Sequence, residues 1–202
     1  IVDYNADYGC GPTERITYTR AKVSDHAFAR NVLAMQMDGD WLLMLDTDHQ
    51  FEPDLLARLL REFEKNDLDV LVGAYVYRQK PHAPLLFMRE GDGPLMHLGK
   101  WEAEDLTRPY LLPIASAGGG CLLVRRRVFD RIDRELHESP FGHRGAYSED
   151  HSFFDRLREL NIQAYCCPAI ESPHLAVRTL TLADFDPAGL LFGARVPTSG
   201  AA

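Results

Sequence analysis

The chain has 202 residues, of which 46% are hydrophobic and 26% charged, with a formal net charge of −8. That is enough for one α/β domain with a sizeable core, and the balance is that of a soluble globular protein. The acidic charge argues against a broad nucleic-acid surface, and no apolar run approaches a membrane span.

The first residue is Ile rather than Met, so an earlier start is expected, and nothing at this end has the pattern of a signal peptide. Residues 1–4 read as a short strand, followed by a glycine-containing polar loop at 9–12. Ser24 suits the cap of a helix running to about Met37, with Phe28, Val32 and Met35 on one face. Trp41–Leu45 is a uniformly apolar run, the pattern of a buried strand of parallel type. Pro53 fits a first helical turn, and Leu55, Leu56, Leu59, Leu60 and Phe63 make a wide apolar stripe behind it. Residues 70–76 give the next strand and 85–88 a shorter one.

From 89 to 108 there is no periodicity, and the stretch reads as an excursion from the sheet. Residues 121–124 form another apolar strand, with Val128, Phe129 and Ile132 on a short helix after it. Ser148 caps a helix whose Phe153, Phe154, Leu157 and Leu160 face inward. Residues 162–167 make the last strand. The alternation implies a layered α/β fold with a mostly parallel sheet. A single domain over 1–195 is expected, with a small, polar, disordered tail at 196–202. Cys10, Cys121, Cys166 and Cys167 lack metal-site spacing, so free thiols in a reducing, cytoplasmic compartment are expected.

Four places carry chemistry. The first is Asp46-Thr47-Asp48 at the carboxyl end of the Trp41–Leu45 strand, where open α/β sheets bind ligands. Alternation along an extended chain would send both acids the same way, and paired hard oxygens suit Mg²⁺ or Mn²⁺ holding substrate phosphates. A strand-end turn accounts for the same residues more blandly. The second is Gly118-Gly119-Gly120, which either lets backbone N–H groups approach an anion or sugar hydroxyl, or makes a tight corner. The third is Glu149-Asp150 at a helix start. The helix dipole favours acids there, and an acid so held can also act as a general base. The fourth is His174, a single histidine in a polar loop after the last strand.

These four places, in this order, resemble the glycosyltransferases of the GT-A fold, particularly family-2-like enzymes. Ala29-Arg30-Asn31 and Leu43-Met44-Leu45-Asp46-Thr47-Asp48 look like the stretch leading into that family's DXD motif, and Phe51-Glu52-Pro53-Asp54 resembles the segment after it. Residues 118–124 look like its glycine loop and strand, and Glu149-Asp150 with Phe153 like its acidic catalytic motif. His174 falls where these enzymes place a C-terminal histidine. The resemblance spans roughly 29–174.

The resemblance implies a GT-A three-layer sandwich whose N-terminal strand is missing or rearranged, and a hexosyltransferase using a nucleotide-diphosphate sugar. It places Asp46 near ribose and metal, and Asp48 and His174 on a divalent Mn²⁺ or Mg²⁺. Asp150 becomes the base if the transfer inverts, with Glu149 orienting acceptor or base; the fold hosts inverting and retaining enzymes alike. Gly118, Gly119 and Gly120 would lie beside the donor sugar, and Arg30, with Arg20 and Arg178 behind it, would hold phosphates. Trp101 and His97 on the excursion offer an acceptor surface. His49 and Gln50 depart from the family pattern, which has hydrophobic or small residues after the DXD. The acceptor is unreadable, and an oligomer is compatible with an unpaired sheet edge.

The rival readings are a haloacid-dehalogenase-type phosphatase with Asp46 as nucleophile and Asp48 as acid/base, a nucleotidyltransferase using metal-bound acids, and a domain that only binds a sugar nucleotide. The phosphatase motif normally has Thr or Val where this chain has Gln50.

Overall fold

The computed structural model describes residues 17, 19–21, 24–98, 110–176 and 179–185. The expected strand at 1–4, the loop at 9–12, Trp101, Arg178 and the tail at 196–202 lie outside these residues.

The chain alternates strand and helix as the hydrophobic pattern requires. Helix α1 (His26–Met35) starts one residue later than expected, because Asp25 accepts the Phe28 N–H at 2.9 Å and so takes the cap from Ser24. It also presents a different face. Phe28 is 57% and Met35 84% exposed, while Ala27 and Arg30 are buried. β1 (Trp41–Leu45) and α2 (Leu55–Lys65) follow as read. Leu59 and Phe63 of α2 are completely buried, which is worth roughly 1.5–3 kcal/mol each and fixes the helix on the sheet.

β2 (Val70–Ala74) is buried throughout, and β3 (Leu86–Met88), β4 (Met96–His97), β5 (Leu112–Ile114) and β6 (Ser116–Ala117) are short. β7 (Cys121–Arg125) leads directly into α3 (Arg126–Arg131), which is prolonged by a π-helical turn over Ile132–Leu136. α4 (Glu149–Glu159) is capped by Ser148 as expected, and β8 (Ala164–Glu171) closes the series. β8 passes Pro168, where composition alone would end a strand. Its pairing with β2 shifts register between Gly73 and Ala74, and that irregularity accommodates the proline.

The main sheet has the order β1-β7-β2-β8-β5, and β4-β3-β6 form a second, smaller sheet. The α/β class is as expected, but the expectation of a mostly parallel sheet needs correcting. Among the described strands only β2 and β8 pair in parallel, whereas β7 runs antiparallel to both β1 and β2, and β5 antiparallel to β8. β1, β2 and β8 therefore share a direction, with β7 inserted against it. A fully apolar run carries no sign of its direction, so the sequence could not show this.

The sheet is apolar on both faces. Val70, Val72, Leu122, Val124, Ala164 and Cys166 pack with Phe129, Phe153 and Leu157 on one side. Leu71, Leu123, Cys167 and Ile170 pack with Leu59, Leu60 and Phe63 of α2 on the other. This is the three-layer sandwich. Antiparallel insertion of β7 also positions the site, since Leu45 at the end of β1 pairs with Cys121 at the start of β7. The glycine loop before β7 is thereby set against the acids after β1.

Candidate active site

The β1–β7 ladder extends one hydrogen bond past Leu45, with Asp46 N–H donating to the Gly120 carbonyl at 3.0 Å. Gly120 N–H in turn donates to the Tyr75 hydroxyl at 2.9 Å, just beyond β2, and Gly118 N–H to the Leu85 carbonyl at 3.1 Å. The loop's glycines are there for close approach. A Cβ at Gly118 would fall 2.2 Å from the Tyr75 hydroxyl, and one at Gly120 2.7 Å from His49 Nε2. At Gly119 it would lie 2.6 Å from both Arg30 Cζ and Asp150 Oδ1. The tight corner is what the structure shows, pressed against charged side chains, with the Gly118 and Gly120 N–H groups already bonded within the protein.

Arg30 is the centre of the first cluster. It is only 6% exposed. Nη1 donates to the Gly119 carbonyl at 3.0 Å and Nη2 to Asp46 Oδ1 at 3.2 Å. Nε lies 3.3 Å from Asp150 Oδ1 and 3.7 Å from Glu149 Oε1. Burial works to lower the guanidinium's pKa, but Asp150, Asp46 and Glu149 outweigh it and hold the charge more firmly than usual. The resemblance placed Arg30 on phosphates; here its nitrogens face the Gly119 carbonyl and the protein's own acids. Arg20, by contrast, is exposed.

Asp150 stands on the first turn of α4. Burial raises its carboxyl to about 6, Arg30 opposes that rise, and Glu149 adds to it. A base poised there is ionised at neutral pH yet remains a useful proton acceptor.

The second cluster gathers round Asp48. His49 and His174 face each other in an antiparallel bridge, Gln50 N–H donates to the Pro173 carbonyl, and Leu175 N–H donates to the Asp48 carbonyl, both at 2.8 Å. His174 is oriented by its Nδ1, which donates to the Val76 carbonyl at 2.8 Å and leaves Nε2 facing Asp48 Oδ2 at 3.7 Å. His49 Nε2 lies 4.0 Å from Asp48 Oδ1. Arg78, beyond β2, pairs with Asp48 Oδ2. Burial, then the nearby His174, lowers the His49 imidazole to about 4, so it is neutral at pH 7.

Of the sequence candidates, the structure brings Asp48 and His174 together and brings Asp46, Glu149 and Asp150 together round Arg30. Asp46 pairs with Arg30 and Asp48 with Arg78, His49 and His174, because the chain turns at Thr47 and the alternation of an extended strand stops at Leu45. One ligand atom each from Asp48, His49 and His174 lies within 4.8 Å of the others, and Asp46 is outside that group. His49, Tyr75, Arg78 and Ser172 were not singled out from sequence. Only His49 left a trace there, as a departure from the family's usual residue after the DXD. The cavity between Arg89, Ile114, Phe154 and Gln163 includes none of these residues.

A mixed α/β sandwich with acids, a glycine loop and an acidic helix tip at the carboxyl end of β1 defines a GT-A glycosyltransferase domain. The chain belongs to glycosyl transferase family 2, which its residues 7–133 match. Among curated proteins, none matches the sequence significantly.

Solved structures share the fold, A197 from STIV and GalNAc-T7 among them. A197 from STIV has a TM-score of 0.52 at 16% identity over 84% of this chain and 75% of its own. GalNAc-T7, solved with UDP, GalNAc and Mn²⁺, has a TM-score of 0.53 at 15% identity, over 75% of this chain. The likeness covers 30% of the GalNAc-T7 chain. Family membership stands against the phosphatase alternative, in which Asp46 would be a free nucleophile rather than an acid held by Arg30.

Proposed function

We propose that this glycosyltransferase is metal-dependent and moves a hexose from a nucleotide-diphosphate sugar to an acceptor hydroxyl with inversion. The observation that carries the reading is the approach of Asp48 and His174 beside the Arg30-bound acids, two clusters joined through the single turn at Thr47. The donor set fits a divalent ion: a carboxylate, and an imidazole whose Nε2 faces it. GalNAc-T7, which shares the fold, was solved with UDP, GalNAc and Mn²⁺.

When bound, Mn²⁺ or Mg²⁺ would neutralise charge on the departing nucleotide diphosphate. Asp150 takes the acceptor hydroxyl's proton as that oxygen bonds to the anomeric carbon. As that bond forms, the bond from the carbon to the diphosphate breaks with its electron pair on the leaving oxygen. Arg30 positions rather than binds. It fixes Asp150 and Asp46 relative to the glycine loop, and Gly118, Gly119 and Gly120 keep that wall thin enough for a sugar to approach. Glu149, held near Arg30 Nε, orients Asp150 or the acceptor.

The described residues contain no helix long and apolar enough to cross a membrane. Cys121, Cys166 and Cys167 are free and buried, which fits a cytoplasmic setting. Binding and slow hydrolysis of UDP-, GDP-, CMP- and dTDP-sugars, with Mn²⁺ and with chelator, test the proposal on wild type and Asp48→Ala. Metal-dependent binding of one donor, lost in the variant, supports it. Binding of beryllofluoride without any nucleotide sugar would overturn it.

A further inference from the structure

We propose that His49 is a third protein ligand of the divalent ion, so that the site offers one carboxylate and two imidazoles and selects Mn²⁺ and its later first-row neighbours over Mg²⁺. This rests on the metal-dependent reading above. His49 is 5% exposed, and its Nε2 is buried with no hydrogen-bond partner among the described residues. Leaving a buried imidazole nitrogen unpaired is costly, and such an atom calls for an explanation.

The ring has little freedom to find a partner elsewhere. Its Nδ1 lies 2.7 Å from the Ser172 hydroxyl, the arrangement that fixes the orientation of metal-binding histidines. Its faces and edges are taken by Phe51 at 6.0 Å, Tyr75 at 4.6 Å and His174 at 4.4 Å between ring centroids. Nε2 is left on the side where Asp48 Oδ1 stands at 4.0 Å.

The spacing suits one ion. The three ligand atoms lie within 4.8 Å of one another. In an octahedron with bonds of about 2.1 Å, adjacent ligands lie about 3 Å apart and opposite ones about 4.2 Å, so the three groups need to draw together by up to about 1 Å around the ion. Asp48, with its side chain 38% exposed and paired to Arg78, is the least buried of the three and so the freest to adjust. Two imidazoles change the preference of the site. Mg²⁺ favours oxygen ligands and gives up water reluctantly, whereas nitrogen ligands favour ions further along the first transition row.

The test uses Mn²⁺ and Mg²⁺ alone on the whole chain, in wild type and His49→Gln, with folding checked by circular dichroism. Electron spin-echo modulation of bound Mn²⁺ should show two imidazole nitrogens in wild type and one in H49Q. Calorimetry should show Mn²⁺ binding weakened about tenfold or more and the preference over Mg²⁺ reduced. One imidazole in wild type, with unchanged affinity in H49Q, overturns this inference and leaves the transferase reading standing. If H49Q does not fold, the wild-type nitrogen count decides alone. No Mn²⁺ binding by wild type overturns the inference and the metal-dependent reading together.

Discussion

Replacing Arg30 with Met removes one cation from among three acids while keeping an unbranched side chain of similar reach. In the native protein Arg30 Nε is 3.3 Å from Asp150 and Nη2 is 3.2 Å from Asp46, and the Arg30 side chain is 7% exposed. Removing one partner of a buried ion pair costs about 3–5 kcal/mol because the other charge is left uncompensated. The same loss acts on Asp150, whose carboxyl already sits at about 6 with Arg30 pulling it down. An opposite charge at this distance is worth about 1–3 pKa units, so Asp150 in the variant should titrate between about 7 and 9.

Carboxyl ¹³C chemical shifts, assigned by comparison with Asp150→Asn, read this directly and need no substrate. The acid limb of a transfer pH profile should move up by the same interval. Urea unfolding at pH 7 should show the stability loss, softened where Asp150 takes up a proton. An Asp150 titration that stays at about 6, or falls, would refute the argument that Arg30 controls this acid.

Asp150→Asn should lose transfer by about 10²- to 10⁴-fold, the contribution of a positioned base, and at the same time stabilise the fold. The native carboxyl is raised from 3.8 to about 6, so its stabilising contribution is full below about pH 4 and is lost as pH rises through 6. Urea unfolding should therefore find D150N the more stable by on the order of 1–3 kcal/mol at pH 8, and nearly equal to wild type at pH 4; a gain of the same size at both pH values would contradict it. Gly119→Ala drives a Cβ to within 2.6 Å of Arg30 and Asp150, and should cost about 1–3 kcal/mol in thermal unfolding with a disproportionate loss of donor turnover. Gly73→Ala is its control, since its Cβ would meet Cys121 Sγ at 2.6 Å in the core. It should lose comparable stability while the folded fraction keeps its turnover. Tyr75→Phe strands the buried Gly120 N–H, and denaturant unfolding should show a loss of about 1–3 kcal/mol.

What the sequence made legible was local. The apolar run Trp41–Leu45, the stripe of α2 and the Ser148 cap each declare themselves through spacing, and each stands where the pattern puts it. The order of the four motifs pointed to the family. The direction of β7 was hidden because a strand buried on both faces has no polar side to orient it. Helix α1 misled for a related reason. Its apolar residues Phe28 and Met35 face outward, and the residue that binds it to the site is Arg30, whose burial depends on acids 16 to 120 positions away. Tyr75 is likewise invisible locally, since its value lies in one hydrogen bond to Gly120 across the sheet. Asp46 and Asp48 were found, but their division of labour follows from the turn at Thr47, which alternation does not foresee.

The central claim is that Asp48 and His174 hold the metal that binds a nucleotide-sugar donor. Calorimetric titration of the nucleotide-sugar panel into wild type and Asp48→Ala, with Mn²⁺ and then with chelator, tests it most directly. The account predicts that one donor binds wild type only with Mn²⁺ and does not bind the variant. Equal donor binding in the variant, or binding that chelator leaves intact, would contradict it.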